Sequence, residues 1–477
     1  RLYWGVNSKN LVYESFNVDK ELTNVNPVKA LTSGKITKND IGKTVYISNS
    51  NMICQEWVIA DINHDDTEGT VDLVMKYLYS ITGNNYKMSY GYSSDGHSGC
   101  TYYSAQRCNI RYQEKFIFAK DCMDEDIFRS IIPMKTYIVT STNVPANVTL
   151  LRSRSLSLKE LGWNYTYLDN KSSYYPLFGD GNNNNINSAN TLAVKQYPNA
   201  SGNACYWTRD SYMYYEDSKL WNTARYIDEN GRWYSVNADS YYAAGNNANY
   251  GIVNAIRFGK IGNNNKLNDA LSKANPIDAL TSGKIDDSYI GKMIKMPING
   301  YDAISNLAII CEDWIIVGTN CDNTSGTVDL ISYSPIIRIS DGGNSIVRES
   351  MQHVYDSIPS NIKTKMLDIG YTWNSTQYTD KIKVPTIGEL FSNYTNSGCS
   401  STEYKYFSDI DTSCGLTLLD TFFFYTSNGT NYKDRVNIVT RYSNAGGYIN
   451  TDGEVTSAIT VAPYYFGCHG IIRFGKQ

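Results

Sequence analysis

Apolar and polar residues alternate along this chain in short stretches, not in long helical stripes. Thr44–Ile47 and Trp57–Ile62 are β-branched runs, and Gly69–Val74 follows after a turn-rich segment, so all three predict strands. Asp65–Gly69 (DDTEG) and Asn323–Gly326 (NTSG) carry turn chemistry that predicts hairpin closure. Helical spacing is confined to Val18–Leu22, Asp124–Ile131, Ser157–Leu161, Asn344–Tyr355 and Thr386–Asn393. Further strands are predicted at Ile252–Phe258 and Gly470–Phe474. Few helices, many short strands and long connections give an expected α+β class, each unit a mixed or antiparallel sheet with short helices and long loops.

The pattern occurs twice. Asn26–Ile36 reads NPVKALTSGKI and Asn275–Ile285 reads NPIDALTSGKI, an offset of 249 residues that persists from Ile41-Gly42-Lys43 to Ile290-Gly291-Lys292. An insertion of about eight residues near Pro297–Ala303 then moves the offset to 257, which pairs Trp57 with Trp314 and Gly69–Leu73 with Gly326–Leu330, both GTVDL. Both copies close on RFGK, at Arg257–Lys260 and Arg473–Lys476. So many matches in one order mark a tandem duplication. The expected organisation is an N-terminal arm over 1–17, a first domain over 18–260, a linker over 261–266 and a second domain over 267–477. The Asn-rich stretch Gly262–Asn265 supplies the linker signal. Trp57 and Trp314 are expected in equivalent core positions, with Cys54 and Cys311 as equivalent buried thiols.

Length alone, 477 residues, agrees with two or three domains. Charged residues make up 19% and the formal net charge is −4, so no basic excess exists to neutralise phosphates or an anionic membrane surface. No stretch approaches the ~18 apolar residues of a membrane helix. No leader is visible, the chain starting at Arg1, and export is not judged from that end. Tyr is unusually frequent, 41 copies against 13 Phe, among abundant Asn, Ser and Gly. Such a mixture suits recognition surfaces, and it also suits half-buried strand positions.

Several short strings resemble those of formylglycine-generating-enzyme-like domains, a branch of the C-type-lectin-like superfamily. Lys383–Phe391 (KVPTIGELF) resembles their LPT-x-x-E helix start. Cys205–Asp210 (CYWTRD), Trp233–Val236 (WYSV) and Gly251–Phe258 (GIVNAIRF) resemble their successive late strands. Relatives include an uncharacterised domain frequent in surface proteins of Gram-positive bacteria and their phages. The second copy departs from the pattern, with Phe422–Thr426 (FFFYT) where Trp207 should recur. The resemblance implies a compact scaffold whose long loops present variable side chains. The enzymes of the group use a Cys pair near the end of the domain, whereas here Cys468 stands alone, more than fifty residues after Cys414. The calcium motifs of sugar-binding relatives are missing too: Tyr197-Pro198-Asn199 lacks the leading carboxylate or amide, and Trp163, Trp221 and Trp373 are followed by Asn but not Asp.

Candidate chemistry is sparse. His64, His97, His353 and His469 fall in no zinc-binding spacing, and Asp95-Gly96-His97 reads as a solvated turn. Cys321 aligns with His64, so a Cys311–Cys321 bridge would have no first-copy counterpart; partners for Cys100, Cys108, Cys122, Cys399 and Cys414 stay open. The expected function is non-enzymatic, with no catalytic residue, metal or cofactor: an external structural or binding protein on a phage virion surface, as capsid decoration, head fibre or tail adhesin. A secreted bacterial cell-surface adhesin is the alternative, and a modifying enzyme is the reading of another class. Expected partners are other virion or surface proteins in a larger assembly and a host glycan, with no nucleic acid and no membrane. The candidate contact aromatics are Tyr212, Tyr214, Tyr215, Trp221, Tyr226, Trp233, Tyr241 and Tyr242 in the first copy, and Tyr432, Tyr442, Tyr448, Tyr464 and Tyr465 in the second.

Overall fold

The computed structural model describes residues 17–47, 55–78, 110, 123–138, 147–164, 172–179, 202–216, 219–237, 250–259, 262, 264–339, 344–373, 376–385, 389, 404–408, 423–426, 437–440, 456–457 and 466–477. Among them the architecture is mixed, with many strands in several sheets and a few short helices.

The first half begins with two short helices, Val18–Leu22 and Val28–Leu31. Asn17 caps the first by accepting from the Lys20 N–H (3.1 Å), and Asn26 accepts from the Val28 N–H ahead of the second (3.1 Å). The strands that follow are β1 (Thr44–Tyr46), β2 (Glu56–Ile62), β3 (Thr70–Met75), β4 (Ile131–Ile132), β5 (Met134–Ile138), β6 (Asn147–Leu151) and β7 (Ser153–Ser155). Then come β8 (Tyr206–Glu216), β9 (Lys219–Ile227), β10 (Trp233–Asn237), β11 (Gly251–Ile252) and β12 (Asn254–Gly259). The main sheet runs β1-β2-β3-β12-β4, with β7 also on β12, and a second sheet runs β10-β9-β8-β11.

The second half adds β13 (Met293–Asp302), β14 (Leu307–Thr319), β15 (Thr327–Ser332), β16 (Ile337–Ile339), β17 (Ile369–Trp373), β18 (Thr376–Asp380) and β19 (Ile382–Lys383). After these come β20 (Phe423–Thr426), β21 (Asn437–Thr440), β22 (Thr456–Ser457), β23 (Phe466–Cys468) and β24 (Ile471–Gly475). Its main sheet runs β19-β24-β15-β14-β13-β16-β23. The helices Asn265–Leu271 and Ile277–Leu280 precede it as the first pair of helices precedes β1.

The two halves agree residue by residue in register. In the first, Trp57 pairs with Met75 and Ile59 with Leu73, and the register slips before Asp61 meets Asp72. In the second, Trp314 pairs with Ser332 and Ile316 with Leu330, and the register slips before Gly318 meets Asp329. Even the hairpin turns coincide. Asn63, Asp65 and Asp66 adopt positive φ, as do Asn320, Asp322 and Asn323, residue types that tolerate this region. The Asn63 side chain accepts from the Gly69 N–H and Asn320 from Gly326, both at 2.7 Å. Trp57 and Trp314 are both fully buried. The inserted residues of the second half lengthen the β13–β14 hairpin, which pairs out to Asp302 and Leu307.

Alternating residues of β13–β15 serve two cores. Trp314, Ile316, Leu330 and Ile294 pack with Val347, Met351 and Val354 of the helix Asn344–Ser357. Their neighbours Ile315, Val317, Ile331 and Met293 belong to the cluster that contains the first half's Trp57, Leu73 and Ile256. One side of the second half's main sheet is therefore covered by its own helix; on the other, its own Tyr404 and Phe407 join Ile315, Val317 and Ile331, and the first half reaches Met293 through the helix Glu125–Ser130 and Arg152. Polar contacts reinforce this junction. Arg129, on the helix Glu125–Ser130, donates through Nε to Asp313 (2.8 Å), and the Arg152 guanidinium lies against both the Phe128 and Tyr333 rings, which meet edge-on.

One expectation needs correction. Ser157–Leu161 forms turns, not a helix, although Ser157 and Glu160 make the reciprocal bonds of a capping box (3.0 and 3.2 Å). Gly162 ends the turn at φ +93°, with Phe178 O packed so close that a Cβ would sit 2.8 Å from it. At the expected linker, Asn264 caps the helix Asn265–Leu271 through the Leu267 N–H, and Gly262 packs directly against the Tyr289 ring. Within Thr386–Asn393 only residue 389 is described, so that helix lies outside the described residues.

Candidate functional site

Two polar or aromatic constellations emerge, one buried and one reaching the surface. The buried one starts with Asp72 on β3, directly opposite Arg257 on β12. Arg257 grips it with Nε and Nη2 (2.5 and 2.8 Å), and the Tyr175 hydroxyl donates to its Oδ2 (2.9 Å). Arg154 donates to the Tyr175 hydroxyl (3.0 Å) and pairs with Glu160 (2.8 Å), which Arg209 also holds through both terminal nitrogens. Burial alone would raise the Glu160 carboxyl, but the Arg154 and Arg209 guanidiniums outweigh it and hold the group at about 2. Asp72 is likewise lowered: burial opposes, and Arg257 wins. His64 lies against the Tyr175 ring, its Nδ1 2.8 Å from Asp61.

The second half rebuilds the frame of this network. Arg473 grips Asp329 (2.6 and 2.7 Å), the Tyr404 hydroxyl donates to Asp329 (2.8 Å), and Lys383 pairs with Glu389 (2.7 Å to Oε1). Tyr175 N–H donates to Glu160 O and Tyr404 N–H to Glu389 O, so the backbone crossing is also the same. Each charge named here has a partner, and a network closed on itself in both halves is scaffold, not reactive chemistry. Its signal was in the sequence: Asp72 and Asp329 sit in the two GTVDL strings, Arg257 and Arg473 in the two RFGK strings. A charge repeated inside an apolar strand asks for a buried partner.

The surface constellation lies on the β8–β11 sheet. An Asp228 turn joins β9 to β10, its Oδ1 accepting from the Asn230 and Arg232 N–H groups (2.9 and 2.8 Å). That turn sets Tyr226 opposite Tyr234, and Tyr226 is opposite Trp207 on the other side. The rings form a ladder. Buried Trp207 meets Tyr250 edge-on (4.9 Å), Tyr250 stacks on Tyr226 (4.2 Å), and Tyr226 stacks on Tyr234 (5.6 Å), which is 40% exposed. On the opposite face Trp233 is half-buried, with the Arg225 guanidinium 6.0 Å from its ring. Burial, with the bond to Tyr226, pushes the Tyr250 phenol well above its ordinary value.

No family model, curated protein or solved structure matches the chain.

Of the candidate aromatics, Tyr226 and Trp233 are brought together on adjacent strands. Tyr212, Tyr214, Tyr215 and Trp221 lie on β8 and β9, with Tyr214 paired to Trp221 in the backbone register. Their side chains, and Tyr241, Tyr242, Tyr432, Tyr442, Tyr448, Tyr464, Tyr465 and Cys54 altogether, lie outside the described residues. The Cys311 thiol is buried and donates to Ser334 O (3.8 Å), and Cys321 and Cys468 are free cysteines. The aromatic reading passed over Tyr234 and Tyr250, although Tyr234 stands next to Trp233 in the string WYSV. Among the described residues no three His, Cys, Asp or Glu side chains gather as a metal site, and no helix is long and apolar enough to cross a membrane.

Proposed function

We propose that this chain is a non-enzymatic external binding protein, carried on a phage particle, that uses the aromatic ladder of its first half to hold a glycan without metal. The ladder supports the reading. Three stacked tyrosines rest on a buried tryptophan, so Tyr234 is held rigid while its outer face stays open. A rigid aromatic with a polar tip stacks on a sugar ring at low entropic cost. In this reading each half is a C-type-lectin-like unit of the formylglycine-generating-enzyme-like branch. The equivalent Glu160 and Glu389 support that assignment, since Glu389 is the glutamate of the motif that carries the resemblance. The buried ion network supplies the stiffness, and the strands beyond it supply the contact face.

The test is binding of the full chain to a host-surface glycan array, with and without chelator, beside the Tyr234→Ala variant. At least a tenfold loss in the variant, an unchanged melting temperature and indifference to chelator are expected. Equal binding by Tyr234→Ala, or loss on chelation, overturns the reading. Co-purification with intact particles tests the location separately.

A further inference from the structure

A cleft of about 470 Å³ lies where the two halves meet. The helices Val28–Leu31 and Glu125–Ser130 line it from the first half, and the helix Asn265–Leu271 and the start of β13 from the second. Its charged lining is Lys29, Asp126, Arg129, Asp269, Lys292 and Lys295. Both its size and its place between two units fit a small-ligand site.

The duplication shows what is unusual about Lys292. Its first-half equivalent, Lys43, is partly exposed and holds two carboxylates, Asp19 at 2.5 Å and Asp40 at 2.6 Å. At the positions equivalent to those carboxylates the second half has Asn268 and Tyr289. The lysine was kept and both anions were lost. Lys292 is nevertheless the more buried of the two, only 9% exposed, with its side chain on the cleft wall. On the first half's side of the cleft, Arg129 spends Nε on Asp313 and Nη1 on Glu125.

We propose that this cleft binds a small oxyanion, held by the Lys292 ammonium. A buried cation with too little counter-charge around it is costly, and Asp269 attracts it without replacing the two bonded carboxylates of Lys43. The ligand supplies from outside the negative charge that Asp19 and Asp40 supply internally in the first half. Burial lowers the Lys292 amine to about 8 against the opposing pull of Asp269, so the group is mostly charged at neutral pH and loses its hold as pH rises above that value. The site stands independently of the aromatic ladder and of any glycan.

The test uses the full chain with its lysines ¹³C-dimethylated, the Lys292 resonance being assigned by its loss in Lys292→Gln. Sodium sulfate and sodium glucuronate are titrated separately at pH 7.5 and constant ionic strength, with chloride as the balancing salt. The expected result is a saturable shift of the Lys292 signal, a rise of its apparent pKa by at least half a unit, and no saturable shift at Lys43. Saturation by sulfate alone assigns a tetrahedral anion, and by glucuronate a carboxylate. If the Lys292 signal in the unmutated chain follows ionic strength as every other lysine does, the proposal fails.

Discussion

Asp72 and Asp329 stand at the same rung of two equivalent sheets, and each receives an arginine from the neighbouring strand and a tyrosine hydroxyl from a loop. The loop tyrosines, Tyr175 and Tyr404, each open a short 3₁₀ turn that ends on a buried phenylalanine, Phe178 or Phe407. Duplication therefore preserved a three-residue electrostatic unit as well as a backbone path.

The unit is vulnerable when one member is removed. Asp72→Asn leaves Arg257 buried without its counter-charge and is expected to cost about 3–5 kcal/mol. The double replacement Asp72→Leu with Arg257→Met, which removes both charges, should cost much less. Urea melts of the two variants decide it: equal losses would mean that packing, not charge, is what the single change destroys.

Trp57→Ala and Trp314→Ala are each expected to cost about 3–5 kcal/mol, because both rings are fully buried at matched positions. A denaturant midpoint that scarcely moves in either variant would contradict that equivalence.

Acid should weaken the fold through Glu160. Its folded value of about 2 lies below the ordinary 4.5, so its contribution is present in full above 4.5 and is lost as pH falls towards 2. The loss is on the order of 3 kcal/mol, and the lowered Asp72 adds to it in the same direction. Glu160→Gln should be less stable at neutral pH and flatter between pH 5 and pH 2. Parallel pH profiles of urea midpoint for the two proteins would exclude the assignment.

The junction between halves makes a further demand. Because Met293 and Tyr333 of the second half meet Arg152 and Phe128 of the first, the two halves should melt in one calorimetric transition. Arg152→Ala removes the cation held against both Phe128 and Tyr333 and is expected to lower that transition by several degrees. Two resolved transitions in the unmutated chain would show that the junction carries little energy.

The duplication was legible because its strings are local and ordered, and the hairpin registers followed from them. The Asp72–Arg257 pair joins residues far apart in sequence, and strand periodicity carries no information about such partners. Tyr226 and Trp233 were visible as an aromatic-rich hairpin, whereas Tyr250 joins the ladder from a distant stretch that ends at β11. The helix expected at Ser157–Leu161 stops at a single turn although its start signal is real, since Gly162 at positive φ closes the turn directly after Leu161. The shared core was illegible for a different reason. A strand such as Ile315–Val317, apolar on both faces, reads the same whether its second face meets its own helix or another domain.

Severing the chain near Gly262 would take Arg152 and Phe128 away from Met293 and Tyr333 at once. A fragment made that way would bare a greasy end of its sheet to water and gather with its own kind. For anyone expressing these halves, the smallest manageable piece is both together.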